Sequence, residues 1–212
     1  MTKEKVIAKI LKDRIFAVLR LQRTERIIEL VTAIIDGGIG IVEVTLNSGD
    51  ALQSIRILKK EFPNLILGAG TVIGYDNAVQ AIEHGAQFLV SPVTDLDMLS
   101  VGKEVGVVTM AGALTPTEAW QASEAGADFV KLFPMAGIGP EYLRAMRGPL
   151  NEIQFITTNG VTLDNIDDYF AAGAVAVGIG TPLVSDRDMD SVNFDEIRIR
   201  AEQLVKKVGT LK

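Results

Sequence analysis

Short apolar runs alternate along the chain with longer segments whose apolar positions recur every three to four residues. The runs lie near 15–20 (IFAVLR), 39–45 (IGIVEVT), 65–71 (LILGAGT), 87–91 (QFLVS), 106–111 (GVVTMA), 128–133 (DFVKLF), 153–158 (IQFITT) and 175–180 (VAVGIG). Such runs fit parallel strands covered on both faces. Helix-like segments occupy about 23–36, 49–61, 75–84, 95–104, 116–125, 139–147, 163–172 and 193–208. Four joins share one form, a glycine and a small residue ahead of a strand: IIDGGIGIVEV, IEHGAQFLVS, SEAGADFVKLF and FAAGAVAVGI. Each glycine falls where a helix ends in the left-handed conformation. Helix starts are marked by Ser48 or Asp50 as caps, by Thr115 ahead of Pro116 and Glu118, and by Pro140.

Eight strand–helix units without a composition break predict a (β/α)8, or TIM, barrel, one domain over residues 1–212. An open doubly wound sheet is the alternative, but it rarely has so many evenly spaced units. Residues 3–12 form an extra amphipathic helix, expected to plug the barrel's bottom.

The composition narrows the chemistry. Of the 212 residues 48% are hydrophobic, enough for a sizeable core, and there is no Cys, so disulfides and thiolate metal sites are excluded. A single His, His84, rules out multi-His metal sites and argues against Ser–His catalysis. The net charge of −6 and the lack of a basic cluster argue against nucleic acid and anionic membranes. The N-terminal stretch has no long apolar core, so the expected compartment is the cytoplasm. Chemistry would fall to Lys, Glu, Arg, Thr or Tyr.

Barrel sites lie at the C-terminal strand ends, and here those ends carry Arg20, Glu43, Thr45, Thr71, Lys131 and Thr158. By strand alternation Ile41, Glu43 and Thr45 share one face, and Phe129, Lys131 and Phe133 share another. Lys131 stands out, because lysine is rarely buried unless paired or used. Glu43 and Lys131 both point into the barrel mouth. They make either a structural ion pair or an amine nucleophile beside an acid/base carboxylate. A desolvated lysine has its pKa pulled down, which frees the amine to form a Schiff base with a ketone. That chemistry needs neither metal nor cofactor.

The motifs AVLR (17–20), GGIGIVEVTL (37–46), GAGTV (68–72), GAQFLVSP (85–92), LTPTE (114–118), VKLFP (130–134), GPEYLRAMRGP (139–149) and AVGIG (176–180) span nearly the whole chain. In this order the chain resembles the bacterial 2-keto-3-deoxy-6-phosphogluconate (KDPG) / 4-hydroxy-2-oxoglutarate (KHG) aldolase family. The resemblance implies Lys131 as Schiff-base lysine and Glu43 as general acid/base. It implies that Arg20, Thr71 and Thr158 hold the carboxylate of the pyruvate half and that Pro92 packs on the substrate. Thr45, Asn47 and Phe133 join the implied binding set, and Asn159, Gly160, Gly180 and Thr181 stand where the family holds phosphate. It also implies a homotrimer acting on a small keto acid. The chain departs from the common pattern at Thr157-Thr158-Asn159-Gly160, where Pro-Thr-Gly-Gly is usual, at Ala111 and at Thr181. Asn47, within LNS, resembles the galactonate branch.

Other features read as structural. GAG at 68–70 lacks the G-x-G-x-x-G spacing, since position 73 is Ile, so close packing explains it. His84 is expected to cap a helix end, Trp120 to pack, and the charges at 186–200 to line a solvated helix face. The leading function is cleavage of a 2-keto-3-deoxy sugar acid, KDPG or KHG, to pyruvate and an aldehyde. The alternatives are the 6-phosphogalactonate substrate, a sugar-phosphate isomerase or epimerase, and a non-catalytic sugar-acid binder.

Overall fold

The computed structural model of the chain describes residues 1–185, 188 and 193–210. Eight parallel strands close into a barrel in sequence order: β1 (Ile15–Leu19), β2 (Ile41–Thr45), β3 (Ile66–Gly70), β4 (Phe88–Val90), β5 (Val108–Ala113), β6 (Phe129–Leu132), β7 (Phe155–Thr158) and β8 (Ala176–Ile179). β8 pairs with β1, so no sheet edge remains exposed. Helices α2 (Ile27–Asp36), α3 (Ala51–Glu61), α4 (Tyr75–Glu83), α5 (Leu96–Val105), α6 (Pro116–Glu124), α7 (Pro140–Arg147), α8 (Ile166–Ala172) and α9 (Phe194–Gly209) follow the strands; α1 (Lys3–Asp13) precedes them. The expected fold and its N-terminal helix are present, with boundaries displaced by a few residues.

Strand alternation creates two cores. Outward residues such as Val42, Val44, Leu67, Val130 and Leu132 pack against the helices. Inward residues Phe16, Ile41, Ile66, Phe88, Phe129 and Ile156 fill the barrel interior, and Phe16 and Phe88 meet edge to face. Val6 and Ile10 of α1 belong to this inner cluster, so α1 covers the barrel floor as expected. Lys3 pairs with Asp128 at 2.9 Å, and Asp128 also accepts from the Thr109 amide.

The helix ends follow the local chemistry. Gly38, Gly85, Gly126 and Gly173 all have positive φ. Thr115 and Glu118 form a complete capping box with Pro116 in the first turn. Pro140 begins α7 behind Gly139. His84 ends α4, its Nδ1 2.7 Å from the Gln80 carbonyl oxygen. Two expectations fail. Ser48 and Asp50 make no side-chain cap on α3: Asp50 sits at the cap position with φ 45°, and the Ser48 hydroxyl accepts from the Leu21 amide instead. Trp120 is 54% exposed on α6 rather than packed. Of the 186–200 stretch, residues 186, 187 and 189–192 lie outside the described residues.

Candidate active site

One layer above the inner core, side chains give way to space. Inward positions here are Val18 on β1, Glu43 on β2, Gly70 on β3, Gly112 on β5, Lys131 on β6, Thr158 on β7 and Gly178 on β8. Three of the seven are glycines, and a cavity of about 360 Å³ opens at the C-terminal strand ends. Its walls include Arg20, Glu43, Thr71, Pro92, Lys131, Phe133, Thr158, Asn159, Gly160, Gly180 and Thr181, eleven residues expected from the sequence. Thr45 and Asn47 do not line it. The Thr45 hydroxyl donates to the Leu19 carbonyl and meets Ser48 Oγ at 3.1 Å, while Asn47 is exposed. The cavity also takes in Val18, Val161, Gly178, Pro182 and Val184. Alternation from Arg20 and Gly180 identifies Val18 and Gly178. The other three sit on loops, where no periodicity exists to find them.

Lys131 and Glu43 are buried, 6% and 0% exposed. Lys131 Nζ lies 5.0 Å from the Phe133 ring centroid, a cation–π distance. Among the described residues the Glu43 oxygens have no hydrogen-bond partner, so the pair is not a closed ion pair. Burial raises the Glu43 carboxyl above its ordinary range, against the pull of Lys131 and Arg20. Burial lowers the Lys131 ammonium, opposed by Glu43 and assisted by Arg20. Each group is thereby pushed toward its neutral form, the state in which an amine attacks and a carboxyl donates.

Polar groups surround the pair. The Thr158 hydroxyl is buried, lines the cavity and has no partner; the Thr157 hydroxyl is also unpartnered but faces away from it. Thr71 and Asn159 hold left-handed backbones at φ 55° and 63°. For β-branched Thr71 this conformation is strained, as functional sites often are. Asn159 links two loops: its carbonyl accepts from the Met135 amide at 3.1 Å and its Oδ1 from the Ala136 amide at 3.3 Å. Gly160 allows this closeness, since a Cβ there would lie 2.8 Å from the Ala136 nitrogen. Among the described residues, no group of three or more His, Asp or Glu could hold a metal ion. Among them, too, no helix is long and apolar enough to cross a membrane.

Known proteins share this architecture. The family model for KDPG and KHG aldolase matches residues 6–199. A 2-dehydro-3-deoxy-phosphogluconate aldolase of Treponema pallidum is 31% identical over 93% of this chain and 95% of its own. A probable 2-dehydro-3-deoxy-6-phosphogalactonate aldolase of Rhizobium meliloti is 34% identical over 80% and 81%. The crystal structure of KDPG aldolase from Legionella pneumophila, with pyruvate captured as a covalent carbinolamine, superposes with a TM-score of 0.85. It is 26% identical and covers 90% of this chain and 93% of its own.

Proposed function

The chain belongs to the KDPG and KHG aldolase family, and from that premise we propose that it is a class I aldolase cleaving a 2-keto-3-deoxy sugar acid. The observation that carries the reading is a buried Lys131 amine sharing one cavity with a Glu43 carboxyl that has no hydrogen-bond partner among the described residues. Lys131 Nζ attacks the substrate ketone, the Glu43 carboxyl gives its proton to the carbinolamine hydroxyl, and loss of water leaves an iminium beside the Glu43 carboxylate. Glu43 takes the C4 hydroxyl proton as the C3–C4 bond breaks. The bonding electrons flow into the iminium, giving an enamine and releasing an aldehyde. Glu43 returns the proton to C3, and water frees pyruvate from Lys131. The iminium is the electron sink, so no metal or cofactor enters the reaction.

Arg20, with Thr71 and the unpartnered Thr158 hydroxyl, holds the substrate carboxylate, while Pro92 and Phe133 pack on the pyruvate half. The distal end meets Asn159, Gly160, Gly180 and Thr181, where backbone amides at loop turns suit an anion. KDPG and KHG are the first substrates in this reading, cleaved to glyceraldehyde 3-phosphate and glyoxylate with pyruvate. The 6-phosphogalactonate epimer is the second, supported by Asn47 within LNS and by the Rhizobium relative. A homotrimer in the cytoplasm completes the proposal. Ile73, Tyr75, Val93, Leu96 and Trp120 are large, exposed and on adjoining elements, and give such an assembly apolar surface to bury.

Borohydride trapping with pyruvate, read by peptide mass spectrometry, tests the mechanism. The expected result is one reduced adduct, on Lys131. A folded protein that traps nothing returns Lys131 to a structural role. Turnover on KDPG, its galactonate epimer and KHG then ranks the substrates.

A further inference from the structure

Gly70 has no conformational reason to be glycine. It lies in a regular parallel strand opposite Thr45, its carbonyl accepts from the Leu46 amide at 2.7 Å, and its φ is not positive. Glycine inside a strand is unfavourable, so a close neighbour is the physical explanation to seek. Gly68 supplies the parallel case, because a Cβ there would meet the Phe88 ring at 2.3 Å. At Gly70 the neighbour is chemical. A Cβ would lie 1.9 Å from Glu43 Oε1, 2.6 Å from its Cδ and 2.8 Å from its Cγ, where ordinary contacts are 3.4–4 Å. The Glu43 carboxyl therefore occupies the place of the missing side chain.

Among the described residues, no hydrogen bond fixes that carboxyl, and the charged groups that act on it are Lys131 and Arg20. Shape, rather than a hydrogen bond, sets where it lies. We propose that Gly70 is a positioning residue, which lays the Glu43 carboxyl over β3 so that it faces a carbon bound at Lys131. The proposal rests on the aldolase reading and adds the element that aims its acid/base. An alanine would displace the carboxyl by more than 1 Å, taking the difference between 1.9 Å and the 3.0 Å floor for Cβ contacts. Proton transfer is sensitive to shifts of that size.

The test separates imine formation from proton transfer. Borohydride trapping reports Lys131, and deuterium exchange into the pyruvate methyl group reports Glu43. Gly70→Ala is expected to trap pyruvate as the unsubstituted protein does while exchange falls by about 10- to 100-fold. Glu43→Asp retracts the carboxyl by one carbon and should slow exchange alone, yet partly restore it when combined with Gly70→Ala. Unchanged exchange in Gly70→Ala would overturn the proposal, and so would strictly additive losses in the double variant. If Gly70→Ala does not fold, combining it with Glu43→Ala should recover folding, because the clashing group is gone; failure to recover it also overturns the proposal. Absence of trapping in the unsubstituted protein would instead overturn the aldolase reading and this inference with it.

Discussion

Replacing Glu43 by Gln keeps the shape of the side chain and removes its proton chemistry. General acid–base catalysis contributes roughly 10²- to 10⁴-fold, equivalent to about 2.7–5.5 kcal/mol of barrier. The cavity points to the upper part of that range. Among the described residues, no other carboxylate and no imidazole lines it, so no neighbour can substitute. The expected loss in aldol cleavage is therefore about 10³- to 10⁴-fold. Stability should change little. One unpartnered buried polar group replaces another of the same size, so the unfolding free energy is expected to hold within about 1 kcal/mol. The assay pairs steady-state cleavage with borohydride trapping and methyl deuterium exchange. Trapping should persist while exchange and cleavage fall together. If exchange stayed within about tenfold of the parent, another group or water would be moving the proton, and the role given to Glu43 would be refuted. Loss of trapping would refute it differently, by showing that Glu43 serves to tune Lys131.

Lys131→Met should abolish trapping and cleavage while raising stability at neutral pH. The folded Lys131 pKa is lowered chiefly by burial, so between that value and 10.5 the unfolded chain binds more protons than the folded one. The resulting destabilisation is full below the folded pKa and fades as pH rises toward 10.5; the advantage of Lys131→Met in denaturant melts should shrink over that window. Ile10→Ala, at a fully buried position of α1 on the barrel floor, should lower stability by about 2–5 kcal/mol in urea titrations and leave pyruvate trapping intact. Thr115→Ala breaks the α6 capping box and should destabilise by about 1 kcal/mol, with turnover unchanged at temperatures well below the melting point.

The sequence by itself determined the barrel, because strand alternation, helix periodicity and glycine stops are local properties that survive any arrangement of their neighbours. It also determined that Glu43 and Lys131 face inward, since the side-chain period of two leaves no other choice once Val42, Val44, Val130 and Leu132 pack against helices. Alternation does not say how high on the barrel an inward residue sits. Thr45 shares the face of Glu43, yet closure of the barrel brings it beside the Leu19 carbonyl and Ser48 rather than the cavity. Val161, Pro182 and Val184 join the site from loops whose course depends on the strands they connect. The sequence marked GAG as a place of close packing, but only the tertiary structure decided what packs there. Parallel pairing sets β2 beside β3 with Thr45 opposite Gly70, and that register, a property of two segments 25 residues apart, sends the Glu43 carboxyl into the space above Gly70.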